Sequence, residues 1–84
     1  MDRFDLLAAR RLMNGLKTYG CLDLETDPRD FVTEAEEELL DCVNYLRFAQ
    51  GRGELPPFAA QWIVRNIKHL LVTLRHYRNN PSLQ

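Results

Sequence analysis

Two runs of helical periodicity, residues 28–50 and 58–78, are separated only by Gly51-Arg52-Gly53-Glu54-Leu55-Pro56-Pro57. Glycines end a helix because they accept backbone angles closed to other residues, and a proline pair suits the start of the next. Each run is about 30 Å long at the helical rise. Two helices of matched length and one short loop predict a long antiparallel hairpin. No run alternates polarity with β-branched enrichment, so no strand is expected, and the fold class is all-α.

A third helix is expected over residues 3–19, where Leu6, Ala9, Leu12, Met13 and Leu16 form one apolar stripe and Gly20 supplies the stop. Gly15 inside it marks a weak point or a close approach. The connector GCLDLETDPRD leads to Asp27-Pro28-Arg29-Asp30, which reads as a capping acid, a proline in the first turn and a second acid. Thr33-Glu34-Ala35-Glu36 offers a later start. Asn79-Asn80-Pro81 would end the last helix. The first helix is expected to pack across or alongside the hairpin. With 84 residues the chain is one domain, 1–84, near the lower size limit for a stable core. A homo-oligomer that completes a helical bundle is the expected remedy.

The net charge of −1 gives no drive toward nucleic acid or a membrane surface. The distribution is uneven: residues 1–41 hold eleven acids and five bases, whereas residues 42–84 hold six bases and the single acid Glu54. Such halves attract each other, or set a cation site beside an anion site. Cys21 and Cys42 have no zinc-site spacing, and reduced thiols are expected. The acidic N-terminus does not resemble a signal peptide, and no apolar run approaches the roughly 20 residues of a membrane span. A cytoplasmic protein is expected.

At 100° per residue, Phe31, Ala35, Leu39, Cys42, Val43, Leu46 and Ala49 share one face of the second helix, about 120° wide, and are its expected core. Glu34, Glu38, Asp41 and Tyr45 border that face one turn apart, while Glu36 and Glu37 fall further round, as solubilising residues that favour the helix dipole. Asn44 projects away from the core. Carboxylates a turn apart repel by a few tenths of a kcal/mol per pair. A divalent cation with a taste for oxygen ligands, magnesium above all, would offset that repulsion at Glu34, Glu38 and Asp41.

Glu38-Leu39-Leu40-Asp41 fits an ExxD motif, preceded by Glu34 and Glu37 and followed by Cys42-Val43-Asn44-Tyr45-Leu46. Together with KTYG and LDLETDPRDFVTEAEEELLDCVNYLRF, it resembles the all-α nucleoside triphosphate pyrophosphohydrolases, and most closely the small MazG-like proteins often encoded by bacteriophages. The likeness covers about residues 10–50. It implies a cytoplasmic protein of a bacterial host cell and magnesium-dependent cleavage between the α and β phosphates of a nucleotide. It also implies metal ligation by Glu38 and Asp41, with Glu34 or Glu37 as the third ligand or the base that activates water. The family's second acidic pair, ExxE on an earlier helix, has no counterpart except Asp2 and Asp5, so acids of a neighbouring subunit would have to complete a two-metal site.

The third helix carries Ala60, Ile63, Ile67, Leu70, Leu71 and Leu74 as its expected apolar face. Lys68 and Arg75 at its edge could reach phosphates or the acids of helix two, and Lys17 with Tyr19 could clamp an anion. His69 and His76 lack the companions of a zinc set. Phe58, Trp62, Leu40 and Leu7 sit off the apolar stripes and mark a subunit interface. Three functions remain open: a nucleotide pyrophosphohydrolase, a module that sequesters a nucleotide or nucleotide-derived ligand, and a helical interaction protein that binds a host protein through its acidic stripe.

Overall fold

The computed structural model describes residues 2–20 and 22–80, among which there are three α-helices and no strand: α1, Arg3–Tyr19; α2, Phe31–Gly51; and α3, Pro57–Asn79. Cys21, Pro81 and the Tyr19 side chain, to which the sequence reading gave a loop, a helix stop and an anion contact, lie outside the described residues.

Each helix begins where a side chain or proline satisfies its first turn. Asp2 caps α1 by accepting from Asp5 N at 2.9 Å, and Asp2 N donates back to Asp5 Oδ2 at 3.3 Å. This closed box gives Asp5 a capping role, because the first-turn N–H groups have no partner within the helix. Gly20, at φ +92, ends α1 and donates to Leu16 O at 2.9 Å. A Cβ added at Gly15 would meet open space, so no neighbour approaches there.

The start of α2 is a correction. The cap is Asp30, not Asp27, and the helix opens at Phe31 rather than Pro28. Asp27 is committed to Arg29: it accepts from the Arg29 amide at 2.9 Å and from its guanidinium at 2.7 Å. Asp30 then accepts from Val32 N at 3.0 Å, Thr33 N at 3.3 Å and the Thr33 hydroxyl at 2.9 Å. α3 starts on Pro57, one residue earlier than expected, behind Pro56 and without a side-chain cap. In the turn between them Gly53 takes φ +77, and Arg52 pairs with Glu54 at 2.7 Å.

α2 and α3 pack against each other, the start of α2 lying beside the end of α3. The buried side chains are few: Val43 from α2, and Ala60, Val64, Ile67 and Leu71 from α3, flanked by half-buried Leu39, Leu46 and Ile63. On α2 the inward positions run 32, 36, 39, 43, 46 and 50; on α3 they run 60, 64, 67, 71, 74 and 78. Both alternate steps of four and three, the spacing of a knobs-into-holes seam.

The expected core of α2 is therefore only partly used. Leu39, Val43 and Leu46 face α3, whereas Phe31, Ala35 and Cys42 are exposed. An apolar sector about 120° wide outruns what one neighbouring helix can cover, and α1 does not come to cover the rest. Among the described residues no part of α1 packs on α2 or α3, contrary to expectation. Its Leu6, Leu12 and Met13 are exposed, and only the connector folds back on it, Leu22, Asp27 and Arg29 sharing a groove with Leu12 and Leu16. The radius of gyration, 15.8 Å, exceeds the ~12 Å of a close-packed chain of this length accordingly.

The two connector acids predict an acid-sensitive entry to α2. The Arg29 guanidinium and amide lower the pKa of Asp27 from 3.8 to about 2, and the Thr33 and Val32 bonds lower that of Asp30. A depressed carboxylate contributes stability above its unfolded value and loses it as pH falls through the folded one. Helicity followed by circular dichroism should hold above pH 4 and decline between 3.8 and about 2. Asp30→Asn, which keeps a capping oxygen, should flatten the part of that decline due to Asp30 while retaining α2.

Candidate functional site

A surface groove of about 660 Å³ lies along α2 and is walled by Glu38, Asp41, Cys42, Tyr45 and Phe48, with Arg52 and Glu54 closing its end. Helical geometry sets Glu38, Asp41 and Tyr45 on one flank because residues three and four apart are neighbours. The Tyr45 and Phe48 rings meet edge to face at 6.4 Å, and both are largely exposed, 71% and 65%. The groove thus offers two carboxylates one turn apart, an aromatic wall and a guanidinium that already holds Glu54.

The other residues singled out in the sequence go elsewhere. Glu34 is half-buried in the first turn of α2, and Glu37 is exposed on the far side of the helix from Cys42. Lys17 is exposed near the end of α1. Lys68 lines a separate groove of about 350 Å³ with Arg47, Gln50, Gln61 and Arg65. Arg75 faces Glu36. The structure therefore brings Glu38 and Asp41 together, but neither Lys68 nor Arg75 joins them. No group of three His, Cys, Asp or Glu side chains is placed to hold a metal ion among the described residues. Arg52, the cation that does reach the groove, was missed; its position directly after α2 and two residues before Glu54 was the available signal.

Glu36 is the larger surprise. The sequence reading gave it to solvent, yet it is 7% exposed, the one buried charged residue among those described. It occupies an inward position of the α2 seam, where the heptad calls for an apolar side chain. Arg78 Nη1 lies 2.9 Å from Glu36 Oε1 and Arg75 Nε 3.8 Å from Oε2. The nearer contact is ionic rather than an aligned hydrogen bond: Oε1 has no hydrogen-bond donor, and Arg78 Nη1 instead donates to Thr33 Oγ1 at 3.3 Å. This cluster ties the first turns of α2 to the last turn of α3. It realises the attraction between the acidic and basic halves of the chain.

Asn44 is exposed, as expected, and so are Phe58, Trp62, Leu40 and Leu7. His69 and His76 serve their own helix through backbone carbonyls, which accept from Thr73 Oγ1 at 3.0 Å and Asn80 Nδ2 at 2.8 Å. No helix is long and apolar enough to cross a membrane among the described residues.

A buried carboxylate is costly without its cation, and an apolar replacement is often tolerated. Arg78→Ala should therefore destabilise the fold by roughly 1–3 kcal/mol, since it strands a buried charge. Glu36→Leu should cost less or stabilise, because it removes the charge and continues the seam. Urea denaturation of both variants checks the order. No protein-family model, no curated protein and no solved structure matches the chain.

Proposed function

We propose that this chain is a nucleotide-binding protein, resembling the MazG-like magnesium-dependent pyrophosphohydrolases, that works as an oligomer-completed bundle built on an α2–α3 hairpin. The observation that carries the reading is the placement of Glu38 and Asp41, the two acids of the ExxD motif, on the wall of one groove with Tyr45, Phe48 and Arg52. Magnesium usually binds proteins through one or two carboxylates, with waters and substrate phosphates filling its octahedron. Two acids suit that mode, so a third protein ligand is not required for binding. When bound, the metal would neutralise phosphate charge and acidify a coordinated water. Tyr45 and Phe48 offer a base a surface to stack on, and Arg52 offers the phosphates a second positive charge. Glu34, half-buried one turn before Glu38, is not placed with them as a third ligand and is left as a candidate base.

A second reading is favoured by α1. Its exposed apolar stripe, standing off α2 and α3, suits a helical interaction protein whose target is a host protein. Such a stripe lays into a groove on a partner as an amphipathic helix does.

Thermal unfolding with magnesium and a panel of nucleoside triphosphates separates the two. A ligand that binds only the folded state raises the midpoint. The expected result is a rise that needs both metal and nucleotide and is lost in Glu38→Ala/Asp41→Ala. Pyrophosphate release then distinguishes turnover from sequestration. No rise at saturating ligand would remove the nucleotide reading and leave the interaction protein.

A further inference from the structure

A second groove is built from the opposite charge. Arg47 follows Tyr45 by two residues, so it points about 200° round α2 from it, and Gln50, three residues on, shares its flank. On α3, Gln61, Arg65 and Lys68 follow at steps of four and three and form one flank as well. These two flanks wall a groove of about 350 Å³ between the helices, floored by Val64 and by Ala60, which is 1% exposed. It shares no residue with the groove of Glu38 and Asp41.

The chain beyond residue 41 holds six bases. Arg52, Arg75 and Arg78 each lie against a carboxylate, that of Glu54 or Glu36. Arg47, Arg65 and Lys68 have no carboxylate within ion-pair distance among the described residues, and all three converge on this groove. The sequence supplies none nearby: α3 contains no acid, and α2 contains none after Asp41. Like charges gathered without a counter-charge repel, and the packing of the pair does not require them, because all three side chains are exposed.

We propose that this groove is a site for a compact polyphosphate anion, held by its phosphate oxygens alone, whether free or as the phosphate chain of a larger molecule. The inference goes beyond the nucleotide reading and does not rest on it. Two guanidiniums, an ammonium and two amides present a surplus of donors, and guanidinium forks match phosphate oxygens. A singly charged carboxylate would leave two of the three cations unanswered. The size is at the small end for a small-molecule site. The lining contains no aromatic ring, so a base carried by the phosphates would find nothing to stack on. The positive stretch is also short. One turn before Arg47 stands Asn44, one turn after Lys68 stands Val72, and Arg75 beyond it faces Glu36. A nucleic-acid backbone needs a longer basic track.

Calorimetric titration of the full chain at low ionic strength in EDTA tests this. Affinity should rise from orthophosphate to pyrophosphate to tripolyphosphate, and a nucleoside triphosphate should match tripolyphosphate. Arg65→Gln/Lys68→Gln should weaken tripolyphosphate binding by at least about tenfold with helicity unchanged by circular dichroism. Lys68→Arg, which keeps the charge, should retain binding. So should Arg10→Gln/Arg11→Gln, which removes the same charge from α1, and Glu38→Ala/Asp41→Ala. Absence of binding to the wild-type chain, or equal weakening by the α1 variant, would overturn the site. Loss in Glu38→Ala/Asp41→Ala would overturn it by moving the anion to the other groove. A nucleoside triphosphate more than about tenfold tighter than tripolyphosphate would overturn recognition by phosphate alone. A mixed-sequence oligonucleotide that outcompetes tripolyphosphate would overturn the compact ligand in favour of a nucleic-acid backbone. Because magnesium is absent throughout, failure of the metal-dependent nucleotide reading leaves this result unaffected.

Discussion

The α2–α3 seam is the constraint on which everything else rests. Among the described residues it buries five apolar side chains and Glu36, flanked by half-buried Leu39, Leu46 and Ile63, and it is one helix wide. A single seam orders two helices but cannot cover an apolar sector that spans a third of each. The thin core, the long radius of gyration and the run of exposed aromatic and aliphatic residues are therefore one fact seen three ways. Most helical stability in proteins comes from packing of an apolar face, which puts α1, with its stripe exposed, in the same position as the open side of the pair.

Glu36 shows how such a seam acquires a register. An apolar residue there would pack without preferring any one charged partner on α3. A buried carboxylate favours the arrangement that brings Arg78 and Arg75 to it. The same logic operates where a polar residue at one core position of a coiled coil sets its alignment at some cost in stability. The chain thus uses its acidic half in two ways: one acid locks the pair from inside, and Glu38 with Asp41 remain on a groove wall, available to a cation or a partner.

The helices themselves were legible because their signals are local. Gly20, the Gly51-Arg52-Gly53 break and the proline pair bound them within a few residues of where they lie. The cap of α2 was misplaced because two acids three residues apart both fit the pattern. A side-chain bond to Arg29, invisible in a pattern, decided between them. Glu38, Asp41 and Tyr45 were legible as a flank, since a shared flank follows from helical spacing alone. Arg52 was not, because it reaches the groove from a turn whose path depends on Gly53 at φ +77.

What the sequence by itself determined is the all-α class, the three helices and the acidic flank, all properties of residues within about two turns of one another. Only the tertiary structure decided which edge of the broad apolar face on α2 is covered. It also decided that Glu36 rather than Glu34 is buried, and that α1 stands apart. Those outcomes depend on the rotation of α2 about its own axis against α3. That rotation is set by the fit of Val43 among Val64, Ile67 and Leu71 and by the pairing of Glu36 with Arg78. A periodicity fixes the width of a helix face, but not which part of it the neighbouring helix meets.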